Sequence, residues 1–509
     1  MAITFIFQLL FHDLKIRIFS HSQIIFFFYI FLPVKLSILI KAIVISIFLP
    51  LVFLSFHSDV AALSSFSDAV VDSFVVSEIT VTGNNKTKER IILRELSFTK
   101  GDKISATELD TLLKINRENV FNLHLFLEVS ITAHQADERN LKIEVVVKER
   151  WYTLPNFSLE LADRSINEWW KYGHQLKRIN YAIALTKQNC RGLNETATIG
   201  YTFGFSNLLL LLYDIPYIDK KAVHGLSFGI QYLQNREIVY GVDSMNSLLF
   251  FRDDDFVRKR ALFSIYYQYR PGIKNTHLFD LSYHYNHVRD TVLLLNPGYL
   301  SGDAGLNFLS FTYTFTRNNT DIHFYPAKGY FYSLSVRNYG LGLHKSFSAF
   351  DAGSTFAYYA SLLKNIRISS GIIARISSKK DQQFLYAPNL GYEGIFVRGY
   401  EYYLIKGQGY LLGKNELKYR ILNTRIHLKF IPASKFNTIP LEIYSKCYGD
   451  IAYVFDRGNY KNYNLSNRWI YGGGIGFDVV SYYDIVIRVE YSLNAKGETG
   501  LFFHLLKAI

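Results

Sequence analysis

The run Gly472-Gly-Gly-Ile-Gly476 invites a first test for chemistry, because backbone amides exposed by glycines can cradle a phosphate. Its spacing fits neither a dinucleotide fingerprint nor a P-loop. It stands at the start of a strand-like run, where small residues permit bending. No nucleophile elbow and no H-E-x-x-H helix is expected in the chain. Cys190 and Cys447 lie too far apart for metal-ligand spacing and make neither a disulfide framework nor a zinc site. The 14 histidines are scattered over strand-like and loop-like segments, where a lone imidazole on a polar face is lining more often than ligand. The residues therefore point away from an enzyme, with no cofactor and no metal. A lipase-type or protease-type site assembled across strands stays open as an alternative, since spacing would not reveal it.

The elements that carry these residues are unusual. The 509-residue chain has 38 tyrosines and 41 phenylalanines but only 10 prolines and 2 methionines. Aromatic residues favour pleated strands and gather at the water–lipid boundary of membrane barrels. A mean hydropathy of +0.06 is too low for a helical membrane protein and suits strands whose alternate residues face water. From residue 151 to residue 509 the text is a series of strand-length segments with a two-residue period. Phe263, Ile265, Tyr267 and Tyr269 oppose Ser264, Tyr266, Gln268 and Arg270, and Phe279, Leu281, Tyr283 and Tyr285 oppose Asp280, Ser282, His284 and Asn286. Leu417, Tyr419 and Ile421 oppose Glu416, Lys418 and Arg420, and Ile487, Val489, Tyr491 and Leu493 oppose Arg488, Glu490 and Ser492. These segments run to about ten residues, the length a tilted strand needs to cross a bilayer, against about five or six in a soluble sandwich. The alternative is an aromatic-rich soluble β-sandwich. The reading is a transmembrane antiparallel β-barrel of about 16 strands.

Upstream, residues 1–62 read as a signal or leader segment, with Lys35 and Lys41 as its positive region, residues 42–56 as its apolar region and Val60-x-Ala62 as its cleavage site. One or two retained transmembrane helices are the alternative. The leader carries Lys15, Arg17, Lys35 and Lys41 against Asp13 and Asp59, a net of +2, which leaves +11 of the chain's +13 for the remainder. No dense basic run or nucleic-acid motif accompanies that charge, so no nucleic acid is expected, and basic rims facing anionic lipid fit better.

After a linker at 63–73, residues 74–150 read as a compact β-α-α-β-β unit. A strand with Val76, Ile79 and Val81 ends at Gly83-Asn84 and is followed by a helix with Ile91, Ile92 and Leu96 on one face. Gly101-Asp102 breaks the chain before Ser105-x-x-Glu108, a capping box opening a helix with Leu109, Leu112 and Leu113 inward. Two alternating strands follow, with Leu127, Val129 and Ile131 in the first and Leu141, Ile143, Val145 and Val147 in the second. Two places break the later strand rhythm. The stretch from Asp321 to Gly329, built on Pro326, signals a hairpin turn. Residues 379–408, with Gly391, Gly394, Gly399 and Gly407, are too long for one.

The pattern Ile79-x-Val81-x-Gly83-Asn84, helix, Gly101-Asp102, helix and closing Val145-Val-Val-Lys-Glu149-Arg150 resembles a POTRA domain. Val397-Arg398-Gly399-Tyr400 in the long loop resembles the loop signature of the BamA/TamA family of outer-membrane assembly factors, here in a short single-POTRA form. Lys148-Glu-Arg-Trp151-Tyr, Asn167-Glu-Trp-Trp170 and Tyr213-Asp-Ile-Pro216-Tyr217 resemble the same branch. The resemblance implies a protein of the cell outer membrane with its N-terminal domain in the periplasm. It implies a loop folded into the barrel, with Arg398 in the lumen paired to Glu416 and Asp450. It further implies a factor that assembles, inserts or translocates proteins, capturing strands at the POTRA edge and releasing them at a weak seam or through the lumen. Its partners would be unfolded outer-membrane protein clients, outer-membrane lipids and periplasmic accessory proteins. A passive channel or receptor, or a dedicated lipid or surface-protein exporter, are the alternatives.

Overall fold

The computed structural model describes residues 73–137, 139–161, 176–300, 302–343, 347–379, 383–391, 394–427, 438–457, 464–481 and 484–507. The leader, its cleavage site and the segment Asn167-Glu-Trp-Trp170 lie outside the described residues.

The first domain is a four-stranded sheet with two helices. Strand β1 (Ser73–Thr82) leads to helix α1 (Glu89–Leu93), strand β2 (Lys103–Ser105), helix α2 (Leu109–Phe121), and strands β3 (Phe126–Gln135) and β4 (Asn140–Glu149). The order across the sheet is β2-β1-β4-β3, with β1 and β4 parallel and the other pairs antiparallel. Alternate residues of β4, Leu141, Ile143, Val145 and Val147, are buried against Ile91, Ile92 and Val120 of the helices. A bulge between Phe126 and Glu128 takes Leu127 out of the strict alternation, while Val129 and Ile131 stay buried.

Two expectations change here. The unit is β-α-β-α-β-β, since Lys103–Ser105 pairs with β1. The capping box does not form, because Ser105 ends that strand; the Glu108 amide donates to the Ser105 backbone carbonyl at 3.1 Å, and the Ser105 hydroxyl turns to Thr107.

Among the described residues the rest is a barrel wall of sixteen antiparallel strands in chain order. They are β5 (Thr153–Leu161), β6 (Ile179–Gln188), β7 (Thr196–Gly204), β8 (Ser206–Ile215) and β9 (His224–Asn235), then, after a separate hairpin of β10 (Glu237–Val242) and β11 (Leu248–Arg252), β12 (Arg258–Tyr269) and β13 (Asn275–Val288). A short helix α3 (Asp290–Leu295) precedes β14 (Gly305–Thr320), β15 (Gly329–Tyr339), β16 (Ala349–Ser361), β17 (Ile366–Ser377), β18 (Gly409–His427), β19 (Thr438–Phe455), β20 (Trp469–Ser481), β21 (Ile485–Asn494) and β22 (Thr499–Lys507).

The alternation decides which way each strand faces. Phe263, Ile265, Leu281, Tyr283, Leu417, Tyr419, Tyr491 and Leu493 are exposed on the outer wall, while Ser264, Ser282, Asn286, Lys418, Glu490 and Ser492 are buried inside it. An apolar face of that extent in water would far exceed the patch a soluble monomer tolerates, so lipid covers it. In hydrocarbon each unpaired backbone group costs several kcal/mol, which is why each strand within the wall finds two neighbours. The exceptions are β5 and β22, the two ends of the sheet: among the described residues no ladder joins them. No described helix is long and apolar enough to cross a membrane.

Candidate functional site: the inward loop and its luminal carboxylates

Val397-Arg398-Gly399-Tyr400 makes a tight turn in which the Tyr400 amide donates to the Val397 carbonyl at 2.9 Å. Gly399 takes φ +91°, a conformation that side chains disfavour in the third position of such a turn. Val397 and Tyr400 anchor the turn in an apolar cluster with Leu390, Ile405, Leu412 and Ala452, so the loop tip lies against the inner wall of β18 and β19.

That anchoring places Arg398, 3% exposed, among three carboxylates. Its Nε and Nη2 donate to the two oxygens of Asp450 at 2.9 and 2.6 Å, a bidentate grip, and its own backbone amide donates to Asp450 Oδ2 at 3.0 Å. Its Nη1 donates to Glu416 and, at 3.2 Å, to Glu490, and its Nη2 reaches the Asn415 carbonyl. The guanidinium stacks over the Tyr448 ring at 3.9 Å. All five donors are used. Sequence reasoning named Glu416 and Asp450 but not Glu490, although Glu490 shares the inner face of β21 with Arg488 and Ser492, and that parity was the available signal.

The network continues toward the POTRA end. Lys446, fully buried, bridges Glu490 at 2.8 Å and Asp478 at 2.9 Å; Arg488 also holds Asp478, and Lys418 holds Glu416 at 2.8 Å. Tyr325 donates to Asp478 at 3.0 Å and packs on Tyr444. The turn after Asp321 is therefore more than a hairpin connection, because it sends Tyr325 up into the lumen. It also meets the first domain, with Asn122 donating to the Asp321 carbonyl and accepting from the His323 amide.

The glycine run on β20 has a reason closer than bending. A Cβ on Gly472 would lie 2.1 Å from the Arg398 carbonyl, and one on Gly474 2.6 Å from the Tyr448 hydroxyl. Gly472 thus makes room for the loop, and Gly474 for the Tyr448 ring over which Arg398 stacks. Gly472→Ala should lift the loop tip at the cost of an overpacked contact, about 1–3 kcal/mol. Protease cleavage within residues 394–408 in intact cells, rising about tenfold over wild type, would register it.

Gly225-Leu-Ser227-Phe-Gly229 matches the spacing of a nucleophile elbow, which sequence reasoning overlooked. It lies inside strand β9, with no helix behind it, and Ser227 donates its hydroxyl to Asp214. The strand–turn–helix geometry that exposes a nucleophile is missing.

Several barrel turns on one side hold the first domain. Tyr217 and Ala222 complete its apolar core, and Arg270 grips Glu95 through two hydrogen bonds of 2.6 and 2.9 Å while donating to the Tyr217 hydroxyl. Asn189 donates to Thr87, whose hydroxyl donates to Glu149. Arg150 and His124 both bond Asp484, at 2.9 and 3.0 Å. Burial pushes the Asp484 carboxyl up, but the His124 hydrogen bond and the Arg150 guanidinium outweigh it and hold the group at about 2. A carboxyl depressed on docking contributes stability above its free value, near 3.8, and loses it as pH falls toward 2. Limited proteolysis across a pH series should find this corner latched from neutrality to about pH 4 and released toward pH 2, a step that Asp484→Asn abolishes.

Residues 74–150 match the family model for POTRA, surface antigen variable number repeat. A stretch of 75 residues is 35% identical to the outer membrane protein assembly factor BamA of Neorickettsia risticii (strain Illinois). The POTRA match falls on the first domain. The match to that BamA covers 15% of this chain and spans only 10% of the relative's length. Among solved structures, CdiB from Escherichia coli is similar at 10% identity and TM-score 0.55, over 85% of this chain and 76% of that one. BamA from Haemophilus ducreyi lacking POTRA domains 1-3 matches at 15% identity and TM-score 0.49, over 85% and 84%. Among the described residues the chain thus joins a POTRA domain to a sixteen-stranded barrel, with the long loop entering from the end opposite that domain.

Proposed function

We propose that the protein assembles, inserts or translocates other proteins at the outer membrane, with unfolded outer-membrane proteins as clients. The observation that carries this reading is the pairing of an occupied lumen with a sheet whose two ends are not laddered: the loop around Arg398 lies inside, while among the described residues no ladder joins β5 to β22. A further support is the edge strand β3, whose outer side has no partner strand among the described residues, so that an incoming strand can add to it by backbone pairing. Capture at β3 and release at the β5–β22 seam is the mechanism that follows. Arg398, Glu416 and Asp450 act in it by holding the loop that braces the wall near the seam. A passive channel fits less well, because Tyr325, the loop tip and the apolar cap of Tyr299, Phe347 and Tyr386 would all have to move to open a path.

The test is an outer-membrane proteome after depletion, rescued by wild type or by Arg398→Ala. A broad fall in barrel proteins that only wild type restores is the expected result. An unchanged proteome with a single solute, lipid or surface protein mislocalised would make this a dedicated channel or exporter.

A further inference from the structure

The lipid-facing wall carries a feature that the inward site does not use. At the POTRA end of β9, β12, β13, β14 and β15, outward-facing rings touch one another across five strands. His224 stacks on Tyr269 at 5.5 Å between centroids, Tyr269 meets His277 at 5.7 Å, His277 meets Phe315 at 5.1 Å, and Phe315 meets Tyr332 at 6.3 Å. A girdle of aromatic rings is ordinary at a membrane boundary. Imidazoles within it, and a guanidinium beside it, are not explained by the need for an apolar band.

The polar atoms of the row are arranged. Tyr267 hydroxyl lies 2.7 Å from His224 Nδ1, and Tyr313 hydroxyl 2.9 Å from His277 Nδ1. With the hydroxyl donating, each ring keeps its proton on Nε2, available as a donor. Arg317, exposed on the next strand, is steadied by Tyr330, to whose hydroxyl its Nε donates at 2.9 Å, and by Asn275. Among the described residues no carboxylate lies within ion-pairing distance of Arg317. The exposed Lys274 follows in the adjoining turn. A cation held by neutral partners at the depth where acyl chains end suits a ligand that brings its own negative charge and its own apolar tail.

We propose that His277, Arg317 and Tyr330, with His224 along the same row, bind the phosphate of an anionic phospholipid of the inner leaflet, whose acyl chains then lie on Phe279, Tyr313 and Leu334 above. These strands stand in the middle of the sixteen-stranded sheet, far from both β5 and β22. The bound lipid sets the depth of the fixed wall and leaves the seam free, whether the barrel inserts clients or exports them.

The experiment is native mass spectrometry of the full chain released from micelles loaded with phosphatidylglycerol, phosphatidylcholine or diacylglycerol. Wild type should retain phosphatidylglycerol, and Arg317→Gln/His277→Phe should lose it about tenfold, the scale of charge-assisted hydrogen bonds given up. Arg425→Gln, which removes an exposed arginine away from the row, should retain lipid as wild type does. Equal retention by wild type and the double variant, or equal retention of diacylglycerol and phosphatidylglycerol, would reduce the row to an apolar belt and overturn the assignment. Heat-modifiable migration on gels confirms that each variant is folded, and a single Arg317→Lys variant keeping partial binding would separate charge from fold should the double variant fail that check.

Discussion

Arg398→Ala should destabilise the barrel by about 3–5 kcal/mol, the loss expected when one partner is removed from a buried ion pair. Asp450 is fully buried and would keep Lys414, 3.9 Å away, as its one cation among the described residues, while Glu416 and Glu490 would fall back on Lys418 and Lys446. The loop loses more than charge, since the backbone amide of residue 398 also depends on the position of Asp450. Arg398→Lys should recover only part of the loss, because an ammonium cannot reproduce the bidentate grip or serve three carboxylates at once. Denaturant unfolding in micelles, followed by the shift between folded and unfolded bands, measures both variants. A change under about 1 kcal/mol for Arg398→Ala would mean that the loop is held by Val397 and Tyr400 alone. The variant Arg398→Leu/Asp450→Leu should lie closer to wild type than Arg398→Ala, since it removes the stranded charge along with its partner.

Arg270→Ala should detach the POTRA domain from the barrel turn beneath it while leaving the barrel itself folded. Glu95 is 1% exposed, and its second cation, Arg94, is tied to the Ala222 and Arg270 carbonyls on the same turns. Without Arg270 the Glu95 carboxylate stays buried with half its hydrogen bonds unmet, a cost of about 3–5 kcal/mol that undocking relieves. Tyr217 would follow, leaving a hole in the POTRA core where its ring now sits. Limited proteolysis should cut residues 150–152 or 216–223 at least tenfold faster, with the barrel core intact. An unchanged digestion pattern would place the hold on the Asn189–Thr87 and Asp484 contacts instead.

The architecture was legible because it follows from local rules. A two-residue period names the inner and outer faces of β12, β13, β18 and β21, since successive side chains in a strand must point opposite ways. Segment length separates a membrane wall from a sandwich. The POTRA unit was readable from its apolar positions, apart from β2, whose three residues are too few to form a pattern, and the capping box, which a backbone bond displaced. Val397-Arg398-Gly399-Tyr400 was legible by resemblance, and its turn needs the positive φ that Gly399 supplies.

What the chain text could not specify is which distant residues share a place. Arg398 meets Glu490 across 92 positions because the neighbouring strands β18, β19, β20 and β21 bring β21 beside the loop, and Tyr325 reaches Asp478 across 153 because a turn folds inward. The glycine run of β20 reads as a bending point, yet Gly472 is bare because the Arg398 carbonyl lies on it. Tyr217 read as part of a barrel segment, yet its ring completes the core of a domain that precedes it. Local propensity and alternation are properties of neighbours in sequence, so residues alone determined the strands, their faces and the order of domains. Burial, charge pairing and the seam depend on contacts between distant strands of the wall, and those only the tertiary structure decided.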